Sequence, residues 1–146
     1  MRAYGCAVAL LLLAACTPGG LSGSGNSGTP GGPQVTKIDV NLTMHAGGYA
    51  PSPVTVQTGT SVQFVNSDGF AHTATAIPGA SGFPPSSPFN VTAQQQSGSA
   101  ISGSWSSGTL QAGQSSQLIT VDAAGTYYYG CFFHYGAPMR GTIVAQ

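Results

Sequence analysis

The stretch Tyr129-Gly-Cys-Phe-Phe-His-Tyr-Gly-Ala-Pro-Met-Arg-Gly141 sets a thiol, an imidazole and a thioether close together, at Cys131, His134 and Met139. Two residues separate Cys131 from His134, and four separate His134 from Met139. A soft thiolate and thioether beside an imidazole suit copper. Copper of this kind takes a second imidazole, and the chain holds three histidines. His72, in Asn66-Ser-Asp-Gly-Phe-Ala-His72, is the best candidate, because His45 lies in a Gly-rich segment nearer the start.

Outward from this loop the pattern is that of strands. Alternation with period two runs through Ile38, Val40, Leu42 and Met44, through Val54 and Val56, and through Val62 and Phe64, with the turn Thr58-Gly-Thr60 between the last two pairs. Further strands are expected over 70–77, 115–121, 126–131 and 141–145. Helical periodicity of useful length is missing, which leaves room for one short helix within 78–103. Regularly spaced strands with Gly-rich turns make an all-β, antiparallel Greek-key sandwich the expected fold, as one domain over 35–146. By strand alternation Tyr127 and Tyr129 share a face with Cys131 and are expected in the core, and Trp105 is expected as a packing anchor.

Composition narrows the function classes. The chain has three basic and three acidic residues, 22 Gly and 10 Pro. So few cations exclude nucleic acid, whose binding depends on several Lys or Arg neutralising phosphates. At the start, Arg2 precedes an apolar run over 7–15 that is too short to span a bilayer and reads as a signal-peptide core, so 1–15 is expected to be removed. The run ends in Leu13-Ala-Ala-Cys16, which resembles a bacterial lipobox; that resemblance implies a diacylated Cys16 and an extracytoplasmic, membrane-anchored protein, periplasmic or on the cell surface. Without the leader, two cations (Lys37 and Arg140) face three anions (Asp39, Asp68 and Asp122), a net charge of −1. Segment 16–34 is Gly, Ser, Pro and Thr with little else apolar to bury, so it is expected to be a flexible tether. Its 17 residues from Thr17 to Pro33 reach roughly 20–25 Å as a coil.

Residues 35–146 resemble a cupredoxin, a type 1 blue-copper protein of the plastocyanin kind. The ligand-loop spacing matches that family. So do Pro53-Val-Thr-Val-Gln-Thr-Gly-Thr-Ser-Val-Gln-Phe-Val-Asn66 before the first ligand, Gly125-Thr-Tyr-Tyr-Tyr-Gly-Cys131 leading into the loop, and Met139-Arg-Gly-Thr-Ile-Val144 closing it. Phe133 stands where the family usually has Pro or Gly, and 78–103 is longer than a minimal member needs. The resemblance implies one copper ion held by His72, Cys131, His134 and Met139, and electron transfer by Cu(II)/Cu(I) cycling with redox protein partners, by a monomer with no enzymatic substrate. It also implies an electron route through His134 within an apolar docking patch, for which Phe132, Phe133, Tyr135, Ala137 and Pro138 are the candidates here.

Other readings share parts of this evidence. A copper-handling protein, chaperone or buffer, would use the same donors with more exchangeable metal. An immunoglobulin-like structural or adhesion domain would share the sandwich and the Tyr129-Gly-Cys131 signature. It would lack its inter-sheet disulfide, because Cys6 belongs to the leader and Cys16 to the anchor, and an unpaired Cys131 outside the cytoplasm calls for an occupant. Zinc accepts Cys and His, but the thioether favours copper. A Cys131–His134 nucleophile pair has no visible oxyanion device. A multicopper oxidase needs more histidines and a longer chain. Asn41-Leu-Thr43 and Asn90-Val-Thr92 match the glycosylation triplet, which a bacterial lipoprotein gives little meaning.

Overall fold

Alternation of buried and exposed side chains builds the long strands. The computed structural model describes residues 32–146; the leader 1–15, Cys16 and most of the 16–34 tether lie outside the described residues. In chain order the elements are β1 (Val35–Val40), β2 (Tyr49–Ala50), β3 (Val54–Val56), β4 (Ser61–Asn66), β5 (Thr75–Ala76), a 3-10 turn at Val91–Gln94, β6 (Gln96–Ser97), β7 (Ser106–Ser107), β8 (Ile119–Thr120), β9 (Gly125–Gly130) and β10 (Arg140–Ala145). They form a sandwich of two sheets, ordered β2-β1-β4-β8 and β3-β10-β9-β5-β7-β6. The short helix for which 78–103 left room is the single 3-10 turn, capped by Asn90 Oδ1, which accepts from the Thr92 N–H at 2.9 Å.

Both sheets are mixed. β1 runs parallel to β4, and β3 parallel to β10. Alternation tells which face a side chain takes and is silent on the direction of the neighbour. The chain leaves the first sheet after β2, enters the second as β3 and returns as β4, and this crossing lets β4 run alongside β1 in the same sense.

The core between the sheets is aromatic at its centre. Phe64 stacks on Trp105 at 5.5 Å between ring centroids, and Tyr129 meets Phe64 and Tyr49 edge-on at 5.1 and 4.8 Å. Trp105 and Tyr129 are buried as expected, while Tyr127 is partly buried and donates its hydroxyl to the Ala123 carbonyl. Truncating a ring such as Phe64 to Ala would cost about 3–5 kcal/mol.

Three expected strands are shorter than their alternation implies, each because side chains take over backbone partners. β1 stops at Val40: Asn41 Oδ1 accepts from the N–H groups of Thr43 and Met44, and the Leu42 N–H goes to Asp68. Met44 is consequently 76% exposed. Within 115–121 only Ile119–Thr120 is regular strand, because Ser116 Oγ accepts the Phe64 N–H in place of a backbone carbonyl. Within 70–77 only Thr75–Ala76 pairs continuously. The Ala74 N–H goes instead to Ser107 Oγ, and the Thr73 N–H points to Cys131 Sγ at 3.4 Å. That last interruption turns a strand edge toward the site.

Candidate metal centre

Two loops meet around Cys131, one between β9 and β10 and one between β4 and β5. Cys131 follows β9 directly, Met139 immediately precedes β10, and His134 sits on the turn between them. The β9–β10 pairing, with Arg140 opposite Gly130, fixes both feet of this loop. Backbone bonds close it: Cys131 N–H donates to Met139 O, and the N–H groups of Ala137 and Met139 both donate to His134 O, at 3.1, 2.9 and 3.1 Å. His72 arrives from the other side, held by a two-way bridge to Leu110.

The ligand atoms converge. Cys131 Sγ lies 3.6 Å from His134 Nδ1 and 3.9 Å from His72 Nδ1, and the two Nδ1 atoms are 3.1 Å apart. These are the three residues among those described that gather His, Cys and acidic donor atoms tightly enough for one metal ion, within 4.8 Å of each other. His72, Cys131 and Met139 are fully buried, whereas His134 is partly exposed. His45, in the Gly-rich segment, bonds Asp39 at 2.6 Å and takes no part.

Burial sets the protonation of the donor atoms. Burial pushes the Cys131 thiol up from its ordinary range, against the opposing effect of N–H donors from Thr73, His134 and Phe133. Burial, then repulsion by the neighbouring His72, lowers His134 below the usual imidazole range, with Asp68 opposing. The His134 imidazole is thereby favoured in its neutral form, with a lone pair free to bind, and the Cys131 thiol would give up its proton to a metal ion. Thiolate, two imidazoles and a thioether on a rigid sandwich fit copper.

Two features of the site were not legible in the sequence. Asp68, counted there only as a charge, is buried and bonds His72 Nε2 through Oδ2 at 3.0 Å. Burial would raise its carboxyl, yet hydrogen bonds from His72, Gly69 and Leu42 hold it below the ordinary range. The available signal was an acid four residues before a ligand histidine, in a chain with three acids. Tyr135, named as a docking residue, is instead 1% exposed, which corrects that expectation. Its ring turns inward, packs edge-on with Phe89 and lies under the Arg140 guanidinium at 4.1 Å, while its hydroxyl donates to Pro84 O at 2.9 Å. A β-carbon on Gly130 would come within 2.8 Å of that ring, so the residue before Cys131 has no room for a side chain. The long 78–103 segment therefore braces the ligand loop through Tyr135. Phe133, Ala137 and Pro138 are exposed and Phe132 is partly so.

Comparison with known proteins agrees with this geometry. The family model for copper-binding proteins of the plastocyanin/azurin family matches residues 36–146. A plastocyanin from Scenedesmus fuscus is 32% identical over 101 residues, covering 67% of this chain and 86% of its own. Among solved structures, a reduced amicyanin variant aligns with a TM-score of 0.53 at 20% identity, over 77% of this chain and 82% of its own. Reduced auracyanin from Roseiflexus castenholzii aligns at 0.51 and 22%, over 79% and 99%. With a sandwich of the same fold, a relative 32% identical and a family model matching 36–146, this chain belongs to the plastocyanin/azurin family of copper-binding cupredoxins, with one copper ion as its cofactor.

Proposed function

We propose that the protein is a one-electron carrier, with copper held by His72, Cys131, His134 and Met139. When bound, copper supplies the Cu(II)/Cu(I) couple. The observation that carries the reading is the convergence of Cys131 Sγ with the Nδ1 atoms of both histidines. Cys131 would hold copper as the thiolate, its proton passing to solvent. Both imidazoles would bind through Nδ1, the nitrogen each turns toward Cys131 Sγ. Met139, locked by its backbone bonds to Cys131 and His134, provides the weak fourth donor.

The frame around these side chains limits their movement between oxidation states. Full burial of His72, Cys131 and Met139 also supports retained metal, which ranks electron transfer above copper handling. His134 is the ligand with access to solvent, so electrons leave through its ring. Phe132, Phe133, Ala137 and Pro138 form the docking face beside it. Tethering through diacylated Cys16, outside the cytoplasm, would let the domain turn between partners; Cys16→Ala should then release the protein from membranes.

The visible spectrum of the copper-loaded protein tests the reading. An intense thiolate-to-copper band that disappears reversibly on reduction, and is lost in Cys131→Ser, is the expected result. A protein that stays colourless with Cu(II) would overturn it.

A further inference from the structure

We infer that Asp68 is a positioning residue for the copper centre: its carboxylate fixes the tautomer of His72, and its buried charge lowers the reduction potential. The inference rests on the copper reading above and concerns a residue that does not touch the metal.

The geometry is specific. Asp68 Oδ2 faces His72 Nε2 at 3.0 Å, and His72 Nδ1 faces Cys131 and His134. A carboxylate accepts, so Nε2 carries the proton and Nδ1 presents its lone pair to the metal. Outer carboxylates of this kind orient a ligand imidazole and raise its basicity. Asp68 is itself held in place: Oδ2 accepts the Leu42 N–H at 2.9 Å, Oδ1 accepts the Gly69 N–H at 2.7 Å, and the Thr43 hydroxyl lies 3.3 Å from Oδ1. Its own N–H donates to Asn66 Oδ1 at 2.9 Å, and Asn66 is anchored in turn by donating to Phe70 O and Leu110 O. The carboxylate therefore cannot swing toward solvent when the ligand shell changes charge.

Charge counting gives the sign. Cu(II) with one thiolate and neutral imidazoles carries +1, and Cu(I) carries 0. A buried carboxylate beside His72 brings these to 0 and −1, so it stabilises the oxidised state. Among the described residues no lysine or arginine pairs with Asp68 to cancel the effect. Both His72 and Asp68 are buried, which keeps solvent from screening it.

The test uses the full chain, metal-free and copper-loaded. In the metal-free wild type, 15N NMR of His72 should show the Nε2–H form; an Nδ1–H form would overturn the positioning role whatever metal the protein binds. Asp68→Asn is isosteric and removes the charge, and with its oxygen kept toward His72 its NH2 replaces the oxygen that accepts the Gly69 N–H. It should shift the relative affinity for Cu(I) over Cu(II) by about tenfold or more, a rise of about 59 mV per tenfold. Asp122→Asn, an exposed carboxylate bonded to Ser102, should leave the potential in place. A potential in Asp68→Asn equal to that of Asp122→Asn would overturn the electrostatic role. Failure of the wild type to bind copper at all would sink the copper reading instead, and the tautomer result would stand apart from it.

Discussion

Gly48 forms the wall behind Met139. A β-carbon placed on Gly48 would sit 2.5 Å from Met139 Cγ and 3.1 Å from its Sδ, and Gly48 has a φ of +74°, which only glycine adopts without strain. The same turn is tied down by Asn41 N–H donating to Gly48 O and Gly48 N–H donating to His45 O. Gly48→Ala should therefore displace the thioether and cost about 1–2 kcal/mol in backbone strain alone. The expected result is a protein that keeps copper with an altered visible spectrum and a lowered denaturation midpoint. An unchanged spectrum and midpoint would show that Met139 does not depend on this wall.

Met139 itself separates a tuned centre from a plain three-ligand site. Met139→Leu removes a weak donor and should favour Cu(I), raising the potential. Met139→Gln offers a harder oxygen and should lower it. At about 59 mV per tenfold change in relative affinity, shifts on the order of tens of millivolts to somewhat over a hundred are expected. Voltammetry in which both variants match the wild type, with copper retained, would mean that Met139 only packs.

Copper uptake should depend on pH through Cys131. Burial raises the thiol, so near neutrality a proton must leave before the thiolate can bind, and the apparent affinity should rise about tenfold per pH unit until the thiol ionises. His134 is lowered, so it is already neutral there and competes with metal only on the acid side. Chelator competition at several pH values, with proton release followed in parallel, measures this slope. A flat affinity would mean that the thiol is already ionised without metal.

Docking should rest on apolar contact. The described residues carry two cations, Lys37 and Arg140, and three anions, Asp39, Asp68 and Asp122, a net charge of −1, so association with a redox partner should respond weakly to salt. Ala137→Glu, on the exposed turn after His134, should slow electron transfer by roughly tenfold or more, the scale of a desolvated charge, while spectrum and copper content stay the same. Stopped-flow rates that collapse with rising salt in the wild type would refute this face.

What the sequence by itself determined is local. Cys131, His134 and Met139 lie in one loop, so their spacing nearly dictates their approach once strands hold its ends, and the thioether favours copper over zinc. The strand faces of Ile38 and Val40, or Val62 and Phe64, follow from alternation because each residue's side is set by its neighbours. Tertiary structure decided what depends on partners far along the chain. The end of β1 at Val40 turned in part on Asp68 capturing the Leu42 N–H across 26 residues, beside the local Asn41 contacts, and that same carboxylate orients His72. Tyr135 reads as a surface aromatic until Pro84 and Phe89, some fifty residues earlier, draw its ring inward. The parallel pairings of β1 with β4 and β3 with β10 were settled by where the chain crosses between sheets, because pleat alternation is the same for either strand direction.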